Sequence, residues 1–486
     1  MTANSIKWNL IDRISSQLLY GVTGIILANL LSKKDFGLVG AILVFQAFAS
    51  LFVDSGFSYA LIQRKRPSRL DYSTVLWFNL AMATAIYIIL FFCAPLIALC
   101  FEADARLVPL SRVMFLSFIL NASAIVQTNR LMKLMDVRMV AASNAIGLTA
   151  GSVTGIALAL TGYGAWALVW QTIVINGVKS FVLWMTTGWR PLWRFSFDSL
   201  KKFFSVGSGM MVTSFLNTLF QNIYGFLIGN RAGLVSLGDY TQADKWSKMG
   251  ITTISQTVTS AFLPGLSHVQ DDRERFIRVS TKMNRFTAYL VLPSLGFLAV
   301  CATPIFHCLF GTKWDSAIPL FQLLLSRGVF TVLVALYNNY LIALARTREV
   351  VRMEALRDIT ATVFLVAAFP LISYSTGSDP VAGIKILLWG QVAASAITWG
   401  VMAWRTSSIV GRKLTGFVGD NVPYAALTLL AGTVMFSESM AIADPWILLG
   451  VQCLTGLAIY CGCNLMMGSR IQQELLEYLF KKKKVF

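Results

Sequence analysis

Residues 36–66 of the chain read FGLVGAILVFQAFASLFVDSGFSYALIQRKR, and this stretch decides how the rest is interpreted. The run from 37 to 62 is almost wholly apolar, and a helix of about 25 residues crosses a hydrocarbon core of roughly 30 Å. One carboxylate, Asp54, lies inside the run, and the basic cluster 64–66 follows it. An apolar span that carries a charge and ends on cations predicts a membrane helix facing a polar interior.

The composition of the whole chain is that of a membrane protein. Of 486 residues, 56% are hydrophobic and 13% are charged, and the mean hydropathy is +0.66, whereas globular chains carry about 25% charged residues. The formal charge of +18 is divided among short clusters between apolar runs, which argues against nucleic-acid binding. The first apolar run continues to Leu31, too far for a signal peptide, so we expect the first helix to be retained.

The reactive residue types form no catalytic or metal-binding pattern. All seven cysteines lie in apolar runs without CxxC spacing, where cysteine behaves as a small hydrophobe. The two histidines, His268 and His307, have no ligand or nucleophile partner at a telling spacing. There is no Walker A loop, and the GxGxxA match at 162–167 lies between two apolar runs rather than after a strand. We therefore expect a protein that is not an enzyme and that binds no metal.

Apolar runs of spanning length recur fourteen times, which predicts an all-α polytopic membrane protein with about 14 transmembrane helices. The runs lie at 9–31, 38–62, 74–100, 107–128, 140–161, 165–187, 204–229, 238–263, 286–309, 318–344, 354–374, 381–404, 421–437 and 446–467. With the N-terminus in the cytoplasm, twenty-nine Lys and Arg residues lie in cytoplasmic segments and six lie in segments on the external side of the membrane. Because cytoplasmic loops are the basic ones, we predict a multi-pass protein with both termini in the cytoplasm.

A collinear set of identities between the two halves predicts an internal repeat. The matched pairs, with an offset that rises from 201 to 220, are Asn29/Asn230, Gly37/Gly238, Cys93/Cys301, Pro95/Pro304, Cys100/Cys308, Phe101/Phe310, Pro109/Pro319, Asn129/Asn339, Arg138/Arg348, Gln171/Gln391 and Trp184/Trp404. The offset joins the first span to the seventh, so both copies have one orientation, as in a parallel transporter repeat. We predict six-helix bundles at 1–190 and 191–405, two further helices at 406–468, and a basic cytoplasmic tail at 469–486.

Four charged residues lie deep within predicted spans, where a charge costs about 2.5–3.5 kcal/mol and marks a cavity or an ion pair. Lys248 and Arg327 lie about 14 Å from the outer ends of their spans, at about 1.5 Å per residue. Lys179 and Asp54 lie about eight residues from the cytoplasmic ends of theirs. A role in a cavity and a structural ion pair both stay open for each of them.

Two further cations, Arg13 and Lys385, lie about one turn from the ends of their spans, where a side chain can also reach the membrane surface. The candidate cavity cations are therefore Lys248, Arg327, Lys179, Lys385 and Arg13. Because these cations outnumber Asp54, the cavity suits an anionic solute such as a phosphate or pyrophosphate. Asp54 is then a counter-charge or a site for a coupled proton or sodium ion, and we expect no other cofactor.

Amide side chains within the spans complete the candidate cavity. They are Gln46, Asn217, Gln221 and Asn222. Asn217 and Gln221 are four residues apart and share one helix face. Because amides also hold membrane helices together, helix pairing stays open for each of them.

Seven short strings spread over the chain carry a resemblance to a known family. They are LSKKDFGLVG at 31–40, FVDSGF at 52–57, ALIQRK at 60–65, GYGAWALV at 162–169, GWRP at 188–191, FLPGL at 262–266 and FGTKW at 310–314. They resemble the polysaccharide-transporter (Wzx-type) flippases of bacterial inner membranes, which belong to the multidrug/oligosaccharidyl-lipid/polysaccharide exporter superfamily. Asp54, within the VDSG string, is the one charged site that we carry over as a matching motif position.

The resemblance implies a substrate and a location. It implies that undecaprenyl-pyrophosphate-linked oligosaccharide repeat units are moved from the cytoplasmic to the periplasmic leaflet of the inner membrane, for exopolysaccharide or O-antigen-type polymers. Two bundles that rock about a central site would do this by alternating access. The expected partners are the lipid-linked oligosaccharide, the bilayer, and the polymerase and glycosyltransferases of the same pathway, with no nucleic acid.

Two other functions stay open from the sequence. A cation-coupled multidrug antiporter on the same fold would need buried carboxylates, and Asp54 is the only deep one. A scaffold for polymer-synthesis enzymes would use the basic tail, where 481–484 reads KKKK. The alternative for that tail is an anchor on anionic headgroups.

Overall fold

The computed structural model describes residues 3–54, 61, 64, 66–267, 269, 272–373, 379 and 381–481. Side chains are described for the same residues except 3–7, 9–11, 54, 202, 205–213, 257, 259–265, 267 and 478–481. The chain divides into two compact units, Met1–Thr241 and Gln242–Phe486. This division lies inside a helix, and the predicted bundle boundary after residue 190 stays a prediction.

The first unit is helical over most of its described residues. Its helices are α1 Ala3–Leu30, α2 Lys33–Asp54, α3 Arg69–Cys100, α4 Leu107–Met114, α5 Ser117–Lys133, α6 Val137–Leu160, α7 Ala165–Thr186 and the first part of α8, which runs Phe197–Ser267. Within α8 the backbone is non-helical at Gly233, where φ is 86° and ψ is 171°. This break separates the two predicted spans at 204–229 and 238–263.

The second unit begins within α8 and continues to the C-terminus. Its further helices are α9 Arg273–Val300, α10 Ala302–Phe310, α11 Ala317–Ala343, α12 Thr347–Ala368, α13 Ala382–Val410, α14 Leu414–Gly419, α15 Val422–Ala441, α16 Pro445–Met466 and α17 Arg470–Lys481. Short 3-10 turns at Thr312–Trp314 and Phe369–Leu371 follow α10 and α12.

Each of the fourteen predicted spans coincides with helix over most of its length. The fourth and ninth spans each bend into two helices, at 114–117 and 300–302. Of the described helices, nine are long and apolar enough to count as membrane spans on those two criteria alone. The predicted all-α polytopic architecture is thereby confirmed. Helices are expected in such a protein because a segment in hydrocarbon must satisfy its backbone hydrogen bonds internally.

Helix ends in the first unit are set by side chains that cap free backbone groups. Ser68 and Asp71 form a reciprocal capping box at the start of α3, where the Ser68 hydroxyl accepts from the Asp71 N–H. Asp35 is buried and accepts a hydrogen bond from the Ala165 N–H at 3.1 Å, at the start of α7. A carboxylate at the positive end of a helix is favourable, so Asp35 ties the start of α2 to α7.

Close packing of α6 against α7 depends on glycines at every fourth position. A Cβ on Gly147 would lie 2.8 Å from the carbonyl oxygen of Ile175, and one on Gly151 would lie 2.8 Å from that of Gln171. Gly155 faces the Gln171 side chain, with its Cβ position 3.1 Å from the Gln171 Cβ. This small-xxx-small stripe brings two backbones into contact, which is how helices associate in lipid.

The repeat pair Gly37 and Gly238 lies at a reciprocal crossing of α2 and α8 within the first unit. A Cβ on Gly37 would overlap the carbonyl oxygen of Leu234, and a Cβ on Gly238 would overlap that of Lys33. Lys33 and Leu234 are themselves separated by the repeat offset of 201. Two copies related by a two-fold axis make reciprocal contacts of this kind. The crossing therefore agrees with the predicted parallel repeat.

Aromatic residues form the core of the second unit. Tyr337, Tyr340 and Phe417 are almost fully buried, and the Tyr340 hydroxyl donates to the Ser280 carbonyl at 2.9 Å. The ring centroids of Tyr337 and Phe417 are 5.6 Å apart in an edge-to-face arrangement. This cluster joins α9, α11 and α14, and α11 is the helix that carries Arg327.

Candidate substrate-binding site

Lys248 and Arg327 lie on adjacent helices of the second unit. Gly328 has no side chain, and a Cβ there would overlap Ile251, so α11 packs directly against α8 at this point. Lys248 precedes Ile251 by about one turn, and Arg327 adjoins Gly328. Two cations predicted to be near the midplane are thus brought to one helix contact.

Arg327 keeps hydrogen-bonding capacity that the second unit does not use. Its Nη1 donates to Oε1 of Gln391 on α13 at 3.1 Å. Its Nε is buried and has no acceptor among the described residues. A buried donor without an acceptor costs about 1–3 kcal/mol, and a guanidinium can offer a fork of donors to a phosphate oxygen pair. The arrangement is therefore suited to hold an anion.

Lys248 is only partly neutralised. Its Nζ lies 2.6 Å from Oδ2 of Asp244, four residues earlier on α8. The Lys248 side chain is 44% exposed and that of Asp244 is 17% exposed. The ammonium is thus the more accessible member of the pair and is available to an approaching ligand.

Lys385 is held near the start of α13. Its Nζ lies 2.5 Å from Oδ2 of Asp379, in the segment before the helix. Lys385 precedes Gln391 by six residues, about 9 Å along the helix axis. The structure does not bring it to the Arg327 side chain, and its predicted role in the cavity stays a prediction.

A second polar cluster lies in the first unit. The Asn144 Nδ2 on α6 donates to Oδ2 of Asp12 on α1 at 3.2 Å. Lys179 on α7 interacts electrostatically with the same carboxylate, and its Cβ lies 3.2 Å from the Cβ position of Gly147. Asp12 therefore faces Lys179 and Asn144, whereas its neighbour Arg13 is exposed.

The predicted amide residues have different surroundings. Gln46 on α2 donates through Nε2 to the Ser117 hydroxyl at 3.2 Å, while its Oε1 is buried without a described partner. Asn222 donates to the carbonyl of Thr218 on its own helix at 2.8 Å. Asn217 is half-buried and Gln221 is exposed. The Asp54 side chain lies outside the described residues, so its predicted role stays a prediction.

Two partners of the candidate cavity cations were not predicted from the sequence. Asp244 precedes Lys248 by four residues, a spacing that indicates an ion pair on a helix and was available in the sequence. Gln391 was identified only as a member of a repeat pair, and no linear spacing connects it to Arg327. In the part of the chain that the structure describes, no three His, Cys, Asp or Glu side chains are placed to hold a metal ion.

The helices and the charges within them define a polytopic, all-helical membrane transporter. The structure is similar to lipid II flippase MurJ in an inward closed conformation, with a TM-score of 0.73, 15% identity, and coverage of 97% of this chain and 100% of that chain. An inward-facing MATE family multidrug transporter of the MOP superfamily matches with a TM-score of 0.60 and 16% identity, over 81% of this chain and 95% of that chain. At these identities the likeness concerns the fold.

The family follows from the sequence. The profile of the polysaccharide biosynthesis protein family matches residues 26–319, more than half of the chain, and the chain belongs to that family. The resemblance to polysaccharide transporters is thereby confirmed.

Three relatives share most of their length with the chain. The succinoglycan biosynthesis transport protein ExoT of Rhizobium meliloti (strain 1021) is 27% identical over 89% of this chain and 90% of its own length. The teichuronic acid biosynthesis protein TuaB of Bacillus subtilis (strain 168) is 23% identical over 90% and 88%. The lipopolysaccharide biosynthesis protein WzxC of Escherichia coli (strain K12) is 25% identical over 71% and 70%. The chain is thus similar to proteins named for the transport of succinoglycan and for the biosynthesis of teichuronic acid and lipopolysaccharide.

Proposed function

We propose that the protein moves undecaprenyl-pyrophosphate-linked oligosaccharide units from the cytoplasmic to the periplasmic leaflet of a bacterial inner membrane, by alternating access. The single observation that carries this proposal is the buried Arg327 Nε, which has no acceptor among the described residues; Lys248 offers an accessible ammonium on an adjacent helix. The pyrophosphate of a lipid-linked sugar must pass the membrane midplane during transfer, and two cations predicted to lie near that depth on adjacent helices can bind it there. The names of the relatives support a polymer precursor as the substrate class.

The two cations have complementary roles in this proposal. The planar guanidinium of Arg327 binds two oxygens of one phosphate group, whereas the ammonium of Lys248 acts as a mobile point charge. Gln391 is a neutral acceptor, so it positions the Arg327 guanidinium without cancelling its charge. Lys179 in the first unit lies in the electrostatic field of the Asp12 carboxylate, so we place pyrophosphate binding in the second unit.

The proposed orientation and location follow from the distribution of Lys and Arg. The chain lies in the inner membrane with both termini in the cytoplasm, because twenty-nine Lys and Arg residues then face the cytoplasm and six face outward. The sugar units that it delivers are used by the polymerase of the same pathway, after glycosyltransferases have built them. Asp54 is the proposed counter-charge or the site of a coupled proton or sodium ion.

The test measures surface polymer in a strain that lacks the gene and carries plasmid copies at equal protein levels. We expect Arg327→Ala to restore less than about a tenth of the polymer, since a charge-assisted hydrogen bond contributes roughly 1.5–3 kcal/mol. Lys248→Ala should be impaired less because its charge is already shared with Asp244. Lipid-linked units should accumulate in the cytoplasmic leaflet of both strains.

The matched control is Arg348→Ala, an exposed arginine at the start of α12, which should restore polymer fully. Full rescue by both Arg327→Ala and Lys248→Ala would refute the cationic site. Increased drug susceptibility of the deletion strain, with normal polymer, would assign the chain to drug export instead.

A further inference from the structure

A cavity of about 550 Å³ in the second unit lies apart from Lys248 and Arg327. It is bounded by the first half of α9, the turn before α15, the end of α16 and the start of α17. These are the ends of the spans that the proposed orientation places at the cytoplasmic face. The cavity therefore lies at the depth of the inner-leaflet headgroups.

Cations dominate the wall of this cavity. Arg278, Lys282 and Arg285 follow one another at intervals of four and three residues, so they share one face of α9. Arg470 faces them from the first residue of α17. Four cations on two helices thus surround a space large enough for a phosphate group and its ester substituents.

The carboxylates of the cavity do not neutralise these cations. Asp420 is buried and accepts from Arg285 at 2.7 Å, but it is also bonded to Arg412 from outside the cavity wall. The Asp420 charge is therefore shared between two arginines. The cavity keeps a positive excess on the α9 side.

The remaining carboxylate leaves two arginines unpaired. Glu474 lies 2.6 Å from Lys282, and both side chains are about half exposed. Arg278 and Arg470 have no carboxylate partner among the described residues, and both are exposed. An anion of charge −1 or −2 can therefore enter without displacing an existing ion pair.

The start of α17 adds neutral donors to this wall. Ser469, directly before the helix, lines the cavity, and its hydroxyl is buried without a hydrogen-bond partner in the described part of the chain. The first turn of α17 contains no acidic residue that would compete for its N–H groups. Those N–H groups and the helix dipole favour an anion at this end.

The helix α17 is seated firmly enough to form one side of a site. Ile471 is 5% exposed, and the Gln472 Nε2 donates to the carbonyl of Cys461 on α16 at 3.0 Å. A ligand between Arg470 and the α9 cations would connect α17 to the transmembrane helices. Its binding should therefore stabilise the C-terminal end of the protein.

We propose that this cavity binds the phosphate of an anionic phospholipid headgroup from the cytoplasmic leaflet. Basic pockets between helices at this face are where such headgroups bind. The chemistry required is that of a phosphate group, which a phospholipid brings at high local concentration and at the depth of the cavity. The site is separate from the proposed substrate site.

The test titrates the purified full-length protein in detergent with phosphatidylglycerol and measures bound lipid by native mass spectrometry together with the melting temperature. We expect binding and a rise in melting temperature, neither of which phosphatidylcholine should reproduce. The double variant Arg278→Gln/Arg470→Gln should bind phosphatidylglycerol about tenfold more weakly. Both residues are exposed, so the variant should fold normally, which circular dichroism checks.

Two matched variants separate the cavity from general surface charge. Glu474→Gln removes a competing carboxylate and should tighten binding, whereas Arg348→Gln, on the exposed start of α12, should leave it unchanged. Equal affinity in the wild type and the double variant, or an equal response to both lipids, would overturn the proposal. A full effect of inorganic phosphate alone would overturn the lipid source and assign the cavity to free phosphate. None of these measurements uses a sugar substrate, so they can succeed if the proposed flipping activity fails.

Discussion

At the scale of single residues, the charges inside the helices differ in how far they are neutralised. Lys248 has a carboxylate 2.6 Å away, whereas the acceptor for Arg327 is a neutral amide 3.1 Å away. An ion pair cancels most of its field at a distance, but an amide leaves the guanidinium charge intact. We therefore expect Arg327 to contribute more than Lys248 to the free energy of anion binding.

We predict that Gln391→Glu abolishes polymer export while the protein stays folded. A carboxylate at this position would pair with Arg327 and cancel the charge that binds the substrate, so rescue should fall about tenfold or more. Surface polymer at matched protein levels and the melting temperature measure the two effects. In an Arg327→Ala background the same substitution should add no further loss, and an additive loss would mean that Gln391 acts independently.

Outside the spans, Asp104 stabilises the turn between α3 and α4. Hydrogen bonds from Arg106 and Lys34 hold the pKa of the Asp104 carboxyl well below its ordinary value. Because the folded pKa is lowered, this stabilisation is present above the unfolded pKa of about 3.9 and is lost as the pH falls below it. We predict that Asp104→Asn costs about 1 kcal/mol at pH 7 and at pH 5. The melting temperatures of the variant and the wild type should converge only below about pH 4. Convergence already at pH 6 would contradict this role of Asp104.

At the scale of helices, contact between α6 and α7 depends on the absence of side chains at three glycines of α6. Gly147, Gly151 and Gly155 form a stripe along α6, and a Cβ added at Gly147 or Gly151 would lie 2.8 Å from a backbone carbonyl oxygen of α7. Neither helix gains from the hydrophobic effect in lipid, so this close packing provides the association energy. The spacing is visible in the sequence, but it does not identify the helix that occupies the stripe.

We predict that Gly151→Ala destabilises the protein by about 1–3 kcal/mol, because the added methyl would press on the Gln171 carbonyl and the Ile175 side chain. Gly400→Ala is the matched control, since a Cβ at Gly400 on α13 meets no atom within 4 Å. That control should change stability by less than about 1 kcal/mol. Melting temperatures in one detergent compare the two, and equal values would show that α6 and α7 can separate without cost.

At the scale of the whole molecule, the duplication explains contacts that single helices do not. At one crossing of α2 and α8, Gly37 faces the carbonyl of Leu234 and Gly238 faces that of Lys33. The two glycines are 201 positions apart, and so are the two carbonyl residues.

The cations of the candidate site in the second copy have no charged counterparts in the first copy. At the offset of 210 that relates Pro109 to Pro319, Ser117 on α5 corresponds to Arg327 on α11, so a neutral hydroxyl that accepts from Gln46 stands where the second copy has the guanidinium.

We predict that Gly37→Ala and Gly238→Ala destabilise the protein to a similar extent, about 1–3 kcal/mol each, because each methyl would meet a backbone carbonyl at the same crossing. The double variant should cost less than the sum, since one separation of α2 and α8 relieves both overlaps. Chemical or thermal unfolding of the three variants measures this coupling. Strictly additive costs would mean that the two positions are independent and that the reciprocal contact is not shared.

The sequence by itself determined the helices, the repeat and the family. Backbone groups in hydrocarbon have no partner except their own helix, so length and hydropathy suffice to place a span. That is why fourteen predicted runs coincide with helix, and why strings such as LSKKDFGLVG at 31–40 carry the family resemblance. Gly37 and Gly238 could be paired because duplication leaves identities in the same order, with an offset that changes only gradually along the chain.

Only the tertiary structure decided which charges are available to a ligand. Hydropathy specifies that Lys385 and Arg327 lie in spans, but not that the first pairs with Asp379 and the second with Gln391. Such pairings depend on the rotation and depth of each helix against its neighbours, which close contacts such as that of Gly328 with the Ile251 side chain fix. A change of one residue in register turns a side chain by about 100°, so the same sequence pattern is compatible with a buried pair or an open site.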